Sequence, residues 1–141
     1  MRAVSMLMPL LAAVTLAACG SSPLAAEHEE AAVSAGEAWL AYVDSGAYGE
    51  SWDEAATLFK ASITREQWAV TLANVHTQLG VPQGRELIAA KHTTSLPNAP
   101  AGDYVVIQYR IGFAEGGGVE TLTMKLDGDV WKASGYFIRA E

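Results

Sequence analysis

Cysteine occurs once in the sequence, at position 19, directly after Leu16-Ala17-Ala18. A thiol there is a nucleophile that a diacylglyceryl donor can alkylate, and the small residues before it give a peptidase access to the backbone. The run is similar to a bacterial lipobox, so Cys19 is the expected lipidation site. Three histidines, His28, His76 and His92, lack the close spacing of a zinc pair, and no metal or cofactor is expected. The carboxylate pairs Glu115 with Glu120 and Asp127 with Asp129 fall in loop and turn segments, where solvation explains them. There is no G-x-S-x-G, P-loop, G-x-G-x-x-G or H-E-x-x-H, so no catalytic residue is assigned. Gly116-Gly117-Gly118 lies between two strand patterns and not ahead of a helix, which makes it a hairpin and not an anion cradle. The remaining chemistry is aromatic. Trp39, Tyr42, Trp52, Tyr109 and Phe113 form a candidate ligand pocket at the mouth of a cone between helices and sheet. The other reading of these rings is that they simply fill the core.

Length and composition bound what can position such residues. With 141 residues, half of them apolar and 18% charged, the chain has room for one domain and is too apolar for a disordered tail. Nine Lys and Arg against sixteen Asp and Glu give a net charge of −7 and no basic stripe, so nucleic acid is not an expected partner. One cysteine allows no internal disulfide. Residues 1–18 combine Arg2 with an apolar run from Met6 to Ala18, too short to span a bilayer, and read as a signal peptide. Its removal takes Arg2 away and makes the mature chain one unit more acidic. Residues 19–30 read as a lipid-anchored flexible tether, because GSSPLAAEHEE carries no apolar period. The domain proper is then 31–141.

Three helices are expected first. Ala32, Val33, Gly36, Trp39, Leu40 and Val43 make one apolar stripe, closed by Asp44-Ser45-Gly46 with Gly46 as a left-handed cap. Ser51 and Glu54 frame a capping box for a short second helix with Trp52, Ala55, Ala56 and Phe59 inward. Thr64 and Gln67 open a third, with Trp68, Leu72, Val75 and Leu79 as its stripe and Gly80 and Pro82 as its stop. From Arg85 the period becomes two. Strands are expected weakly over Glu86–Leu96, strongly over Tyr104–Phe113, then over Val119–Leu126 and Val130–Arg139, with Asp127-Gly128 as a two-residue turn. The fold class is α+β: three N-terminal helices on one face of a curved four-stranded antiparallel sheet. Trp39, Trp52, Trp68 and Trp131 are expected to dominate its core.

These residues also carry a resemblance. Ala38-Trp39-Leu40, Asp44, Tyr48, Ser51-Trp52, Trp68, Leu79-Gly80 with Arg85, Pro100 through Val106, Asp127-Gly128, Trp131-Lys132 and Gly135-Tyr136 together resemble domain-of-unknown-function family 4019. The resemblance spans about residues 31–139, and Thr77-Gln78 depart from it where a basic residue precedes the Leu-Gly. It implies a secreted or lipid-anchored envelope protein of unassigned activity, with a layout similar to the cystatin-like and nuclear-transport-factor-like folds. The expectation is therefore a lipoprotein held on the outer membrane, Gly20 and not Asp following the cysteine. Its membrane contact is the N-terminal lipid, and it faces the periplasm with a non-enzymatic domain that binds an envelope protein or a small molecule. The alternative is a small hydrolase or isomerase with a Tyr/Asp/His set in the cone.

Overall fold

A computed structural model describes residues 20–141. Residues 1–18 and Cys19, with the signal and lipidation expectations they carry, lie outside the described residues.

The chain runs α1 (Pro23–Asp44), α2 (Tyr48–Asp53), α3 (Thr57–Ser62), α4 (Arg65–Leu79), then β1 (Pro82–Thr93), β2 (Tyr104–Phe113), β3 (Gly116–Asp127) and β4 (Val130–Ala140). The strands form an antiparallel meander in the order β1-β2-β3-β4. Helices followed by an open four-stranded sheet are the α+β fold expected.

Helix α1 begins well before residue 31, inside the segment expected to be a flexible tether. Ser22 caps it, its Oγ accepting from the Ala25 amide at 3.3 Å, and Pro23 follows at the position where a missing N–H costs nothing. Leu24-Ala25-Ala26 are strong helix formers. The first turns also have partners on the sheet: the His92 amide donates to Glu29 Oε1 at 2.9 Å. An apolar period is not needed for a segment held this way, which is why composition alone hid it.

The buried face of α1 is Ala32, Gly36, Trp39, Leu40 and Val43, and the helix touches all four strands. Gly36 makes that possible. A Cβ at this position would come within 3.0 Å of Leu122 Cδ2 and 3.3 Å of Ile107 Cδ1, so a helix-weakening glycine is exchanged for a close approach of helix to sheet. Gly46 takes the expected left-handed conformation, φ 81°, just past the helix.

Among the described residues four helices occur instead of three. The second begins at Tyr48, upstream of Ser51, so Ser51 is no cap; its Oγ donates to the Tyr48 carbonyl at 2.6 Å. The chain then turns extended at Ala56 (ψ 153°), whose amide donates to the Ala133 carbonyl on β4 at 2.8 Å, and helix restarts at Thr57. A single helix over this stretch would forfeit that bond. The Thr64–Gln67 capping box opens α4 as expected. Nor do the helices form one layer on the sheet. It is α1 that crosses it, α3 rests on β4, and α2 fills the space between α1 and α4.

Aromatic rings bind these pieces together. Trp68 meets Phe59 edge-on at 4.9 Å, Trp39 at 6.1 Å and Tyr136 at 5.9 Å. Ser51, fully buried, serves both indoles: its carbonyl accepts from Trp39 Nε1 at 2.7 Å and its hydroxyl from Trp68 Nε1 at 2.9 Å. Buried indole N–H groups need such partners. Trp131 is only partly buried and packs on the margin of the core.

Trp68→Ala is expected to lose about 3–5 kcal/mol of stability in a urea titration, through the cavity left between Phe59, Trp39 and Tyr136. A loss under about 1 kcal/mol would show that α4 does not seat this ring in the core.

Candidate functional site

The C-terminal end of α1 is fastened to the sheet by one guanidinium. Arg85, on edge strand β1, donates from Nη1 and Nη2 to both oxygens of Asp44 at 2.8 and 3.0 Å. It also donates from Nε and Nη2 to both oxygens of Glu120 on β3, at 2.9 and 3.0 Å. To reach β3 it passes over Tyr109 of the intervening strand, 5.7 Å from the ring centroid. Glu120 has no solvent exposure. Burial pushes its carboxyl above the usual carboxylate range, and the hydrogen bonds and charge of Arg85 draw it part of the way back. Burial alone would weaken the guanidinium's hold on its proton; the bonds to Asp44 and Glu120 outweigh it and hold Arg85 firmly charged.

Neighbouring groups follow the same rule. Burial raises the Tyr109 hydroxyl to about 12, with the Glu37 charge adding to it, and burial raises Tyr136 further. The Tyr109 hydroxyl is sealed from solvent without a hydrogen-bond partner, and the equally sealed Tyr136 hydroxyl faces the Glu120 carboxyl. Tyr48 and His76 bridge α2 to α4, with Oη and Nδ1 2.6 Å apart. Burial lowers the His76 pKa while the Asp44 charge opposes it, which favours the neutral ring near pH 7. Arg85 with Asp44 and Glu120, and Tyr48 with His76, bind one another and hold elements together.

What stays open is a cleft of ≈ 190 Å³ beside them, between α1 and the β3–β4 hairpin. Trp39 and Tyr42 form its helix wall and Val130, Trp131 and Lys132 its strand wall, with Glu54 at the edge. Trp39 is held by its bond to Ser51, and Tyr42 stands 39% exposed at the rim. The walls are apolar with one acid and one base, the lining usual for recognition sites, though the volume suits a side chain or small fragment more than a drug-sized ligand. A second depression, ≈ 260 Å³, runs between α4 and β4 along Val75, Leu79, Phe137 and Ile138.

The five aromatic residues expected at one mouth are not together. Trp39 and Tyr42 line the cleft. Trp52 is tied by Nε1 to the Ile63 carbonyl at 2.9 Å and lies under Lys60. Tyr109 lies beneath Arg85, and Phe113 ends β2 opposite Pro82 and Gly116. Helix period brings residues 39 and 42 to one side, whereas the other three depend on which strand or loop faces them. Trp131 is the wall that sequence reasoning assigned to the core. Its signal is the Asp127-Gly128 turn, which sets residues 130–132 at the hairpin tip and leaves Val130 exposed and Trp131 and Lys132 half covered. The histidines also differ from expectation: His28 and His92, distant in sequence, come within 4.8 Å of each other between ring centroids, and with Asp103 they could hold a metal ion.

With this geometry defined, comparison places the chain. Residues 35–136 match the model of a family described as protein of unknown function (DUF4019), and the chain belongs to that family. No curated protein and no solved structure matches it.

Arg85→Met should cost about 3–5 kcal/mol at pH 8, because it leaves Glu120 buried and unpaired. The sign of the pH dependence follows. A carboxyl raised above its unfolded pKa favours the folded state while protonated, and that contribution is lost as pH rises through the folded pKa. The deficit of the variant relative to wild type therefore shrinks between pH 8 and pH 5, measured by urea titration at both. A deficit independent of pH would contradict the role given to Glu120.

Proposed function

We propose that this protein is an envelope lipoprotein, anchored through Cys19 and facing the periplasm from the outer membrane. On this reading its domain acts by binding and not by catalysis. One observation carries the binding reading: the carboxylates paired with Arg85 and the cleft are separate. Asp44 and Glu120 are engaged by Arg85, while the cleft between Tyr42 and Trp131 presents aromatic walls, Glu54 and Lys132. That lining fits a flat or apolar group of an envelope protein or small molecule, oriented by one acid and one base at the rim.

Support for the anchor comes from residues 16–19 and from where α1 starts. No helix among the described residues is long and apolar enough to cross a membrane. Only Gly20, Ser21 and Ser22 separate Cys19 from α1, a reach of roughly 10 Å. A lipid on Cys19 would hold the domain close against the headgroups instead of on a long tether.

Cys19→Ser is expected to move the protein from the membrane to the soluble periplasmic fraction and to change its mature mass; unchanged fractionation and mass would refute the anchor. For the cleft, a photo-crosslinking amino acid at Tyr42 in living cells should give one defined adduct that Trp131→Ala abolishes. The same probe at Val70, exposed on α4, should give none. Equal labelling from both positions would refute the cleft as the recognition site.

A further inference from the structure

The first turns of α1 carry a second feature, independent of the cleft reading. His28 on α1, His92 near the end of β1 and Asp103 just before β2 converge, and the ligating atoms they offer all lie within 4.8 Å of one another. His92 Nε2 is 2.8 Å from Asp103 Oδ1, and His28 Nδ1 is 3.8 Å from the same oxygen. We propose that His28, His92 and Asp103 form a binding site for a divalent transition-metal ion of the zinc class.

Three observations converge on it. The first is the state of His28 Nδ1, which is sealed from solvent, has no hydrogen-bond partner and faces the Asp103 carboxylate from beyond bonding distance. Buried polar atoms are nearly always satisfied, and one aimed at two further ligand atoms has a cation as its natural partner. The second is fit. Tetrahedral zinc with bonds of 2.0–2.1 Å sets its ligand atoms roughly 3.3 Å apart. The His92–Asp103 distance is shorter than that, the His28–Asp103 distance longer, and the two imidazole atoms lie within 4.8 Å, so side-chain shifts of up to roughly 1.5 Å place all three on one ion. The third is support around the ligands. His28 packs edge-on against Trp131 with centroids 5.5 Å apart, and Glu29, the next residue, fixes the strand by accepting from the His92 amide. The Asp103 carbonyl accepts from the Leu126 amide at 3.0 Å, which fixes the other side. Such surrounding contacts orient metal ligands and raise affinity.

Two imidazoles and one carboxylate suit zinc and its first-row neighbours better than calcium or magnesium, which prefer oxygen donors. Three protein ligands leave one tetrahedral position for water or an incoming donor. The ion would also clasp the start of α1 to β1 and the loop before β2, adding metal-dependent stability where no apolar stripe holds the helix.

The experiment is zinc titration of the full chain as the cell produces it, purified in detergent without a polyhistidine tag and stripped with chelator. The readouts are competition against a chromophoric chelator and thermal unfolding. One zinc per chain and a raised unfolding temperature are expected. His28→Gln and Asp103→Asn should each weaken binding by at least about tenfold while leaving the metal-free unfolding temperature near that of wild type. If one variant lowers that temperature, the other carries the comparison, and Co2+ bound to the wild-type chain should show the visible bands of a four-coordinate ion. Zinc uptake well below one per chain would overturn the proposal. So would equal uptake by wild type and both variants, which would place the zinc on other acidic groups such as Glu27 and Glu30.

Discussion

The structure depends on one partly buried guanidinium. Arg85 reaches across β2 from the sheet edge and holds Glu120 with one side of its fork and the end of α1 with the other. Desolvating these charges is costly, and it is tolerable only because each carboxylate oxygen takes a short, aligned donor. That requirement makes the arrangement selective. Rotating or sliding α1 would leave Asp44 short of the fork and Arg85 with Glu120 as its one remaining carboxylate. Gly36 fixes the other coordinate, setting how near the helix comes to Leu122 and Ile107. Together they determine where Trp39 and Tyr42 stand relative to Trp131, and so the shape of the cleft.

Helix α1 therefore serves as the spine of the domain, with a different chemistry at each level. Its C-terminal end is closed by ionic bonds, its middle by apolar contact through Ala32, Gly36, Leu40 and Val43, and its start by the bond from the His92 amide to Glu29 and by His28 packing edge-on against His92 and Trp131. The titratable groups near the closed end are used for assembly. The cleft, by contrast, is bounded by α1 and the hairpin tip, where the sheet ends and packing is incomplete. A group seated at that position would meet a rigid helix wall and leave the ionic network untouched.

Much of this architecture is legible along the chain. Alternation in Tyr104–Phe113 marks the central strand because its buried side chains face one direction, and the Thr64–Gln67 box marks α4 because both its bonds are local. Features set by contacts between distant residues are not legible. The break between α2 and α3 follows from a bond of Ala56 to β4, and the early start of α1 from partners on β1. Arg85 with Glu120, and His28 with His92 and Asp103, read as scattered charges until strand order brings them together. The aromatic cluster was legible only where helix period governs it, at Trp39 and Tyr42, while the opposing wall, Trp131, depends on how far the hairpin projects beyond the core.

The central claim is that α1 and the sheet are one cooperative body, so that the cleft between them is preformed. Amide hydrogen exchange of the folded domain tests it most directly, because exchange resolves local opening from global unfolding. The account predicts that amides of α1 from Trp39 to Asp44 exchange only through global unfolding, with the same free energy as the core of β2 and β3 around Ile107 and Leu122. Exchange of those α1 amides through a separate opening, several kcal/mol below the global value, would contradict it. The helix would then be a loosely docked element, and the cleft would not exist as a fixed surface.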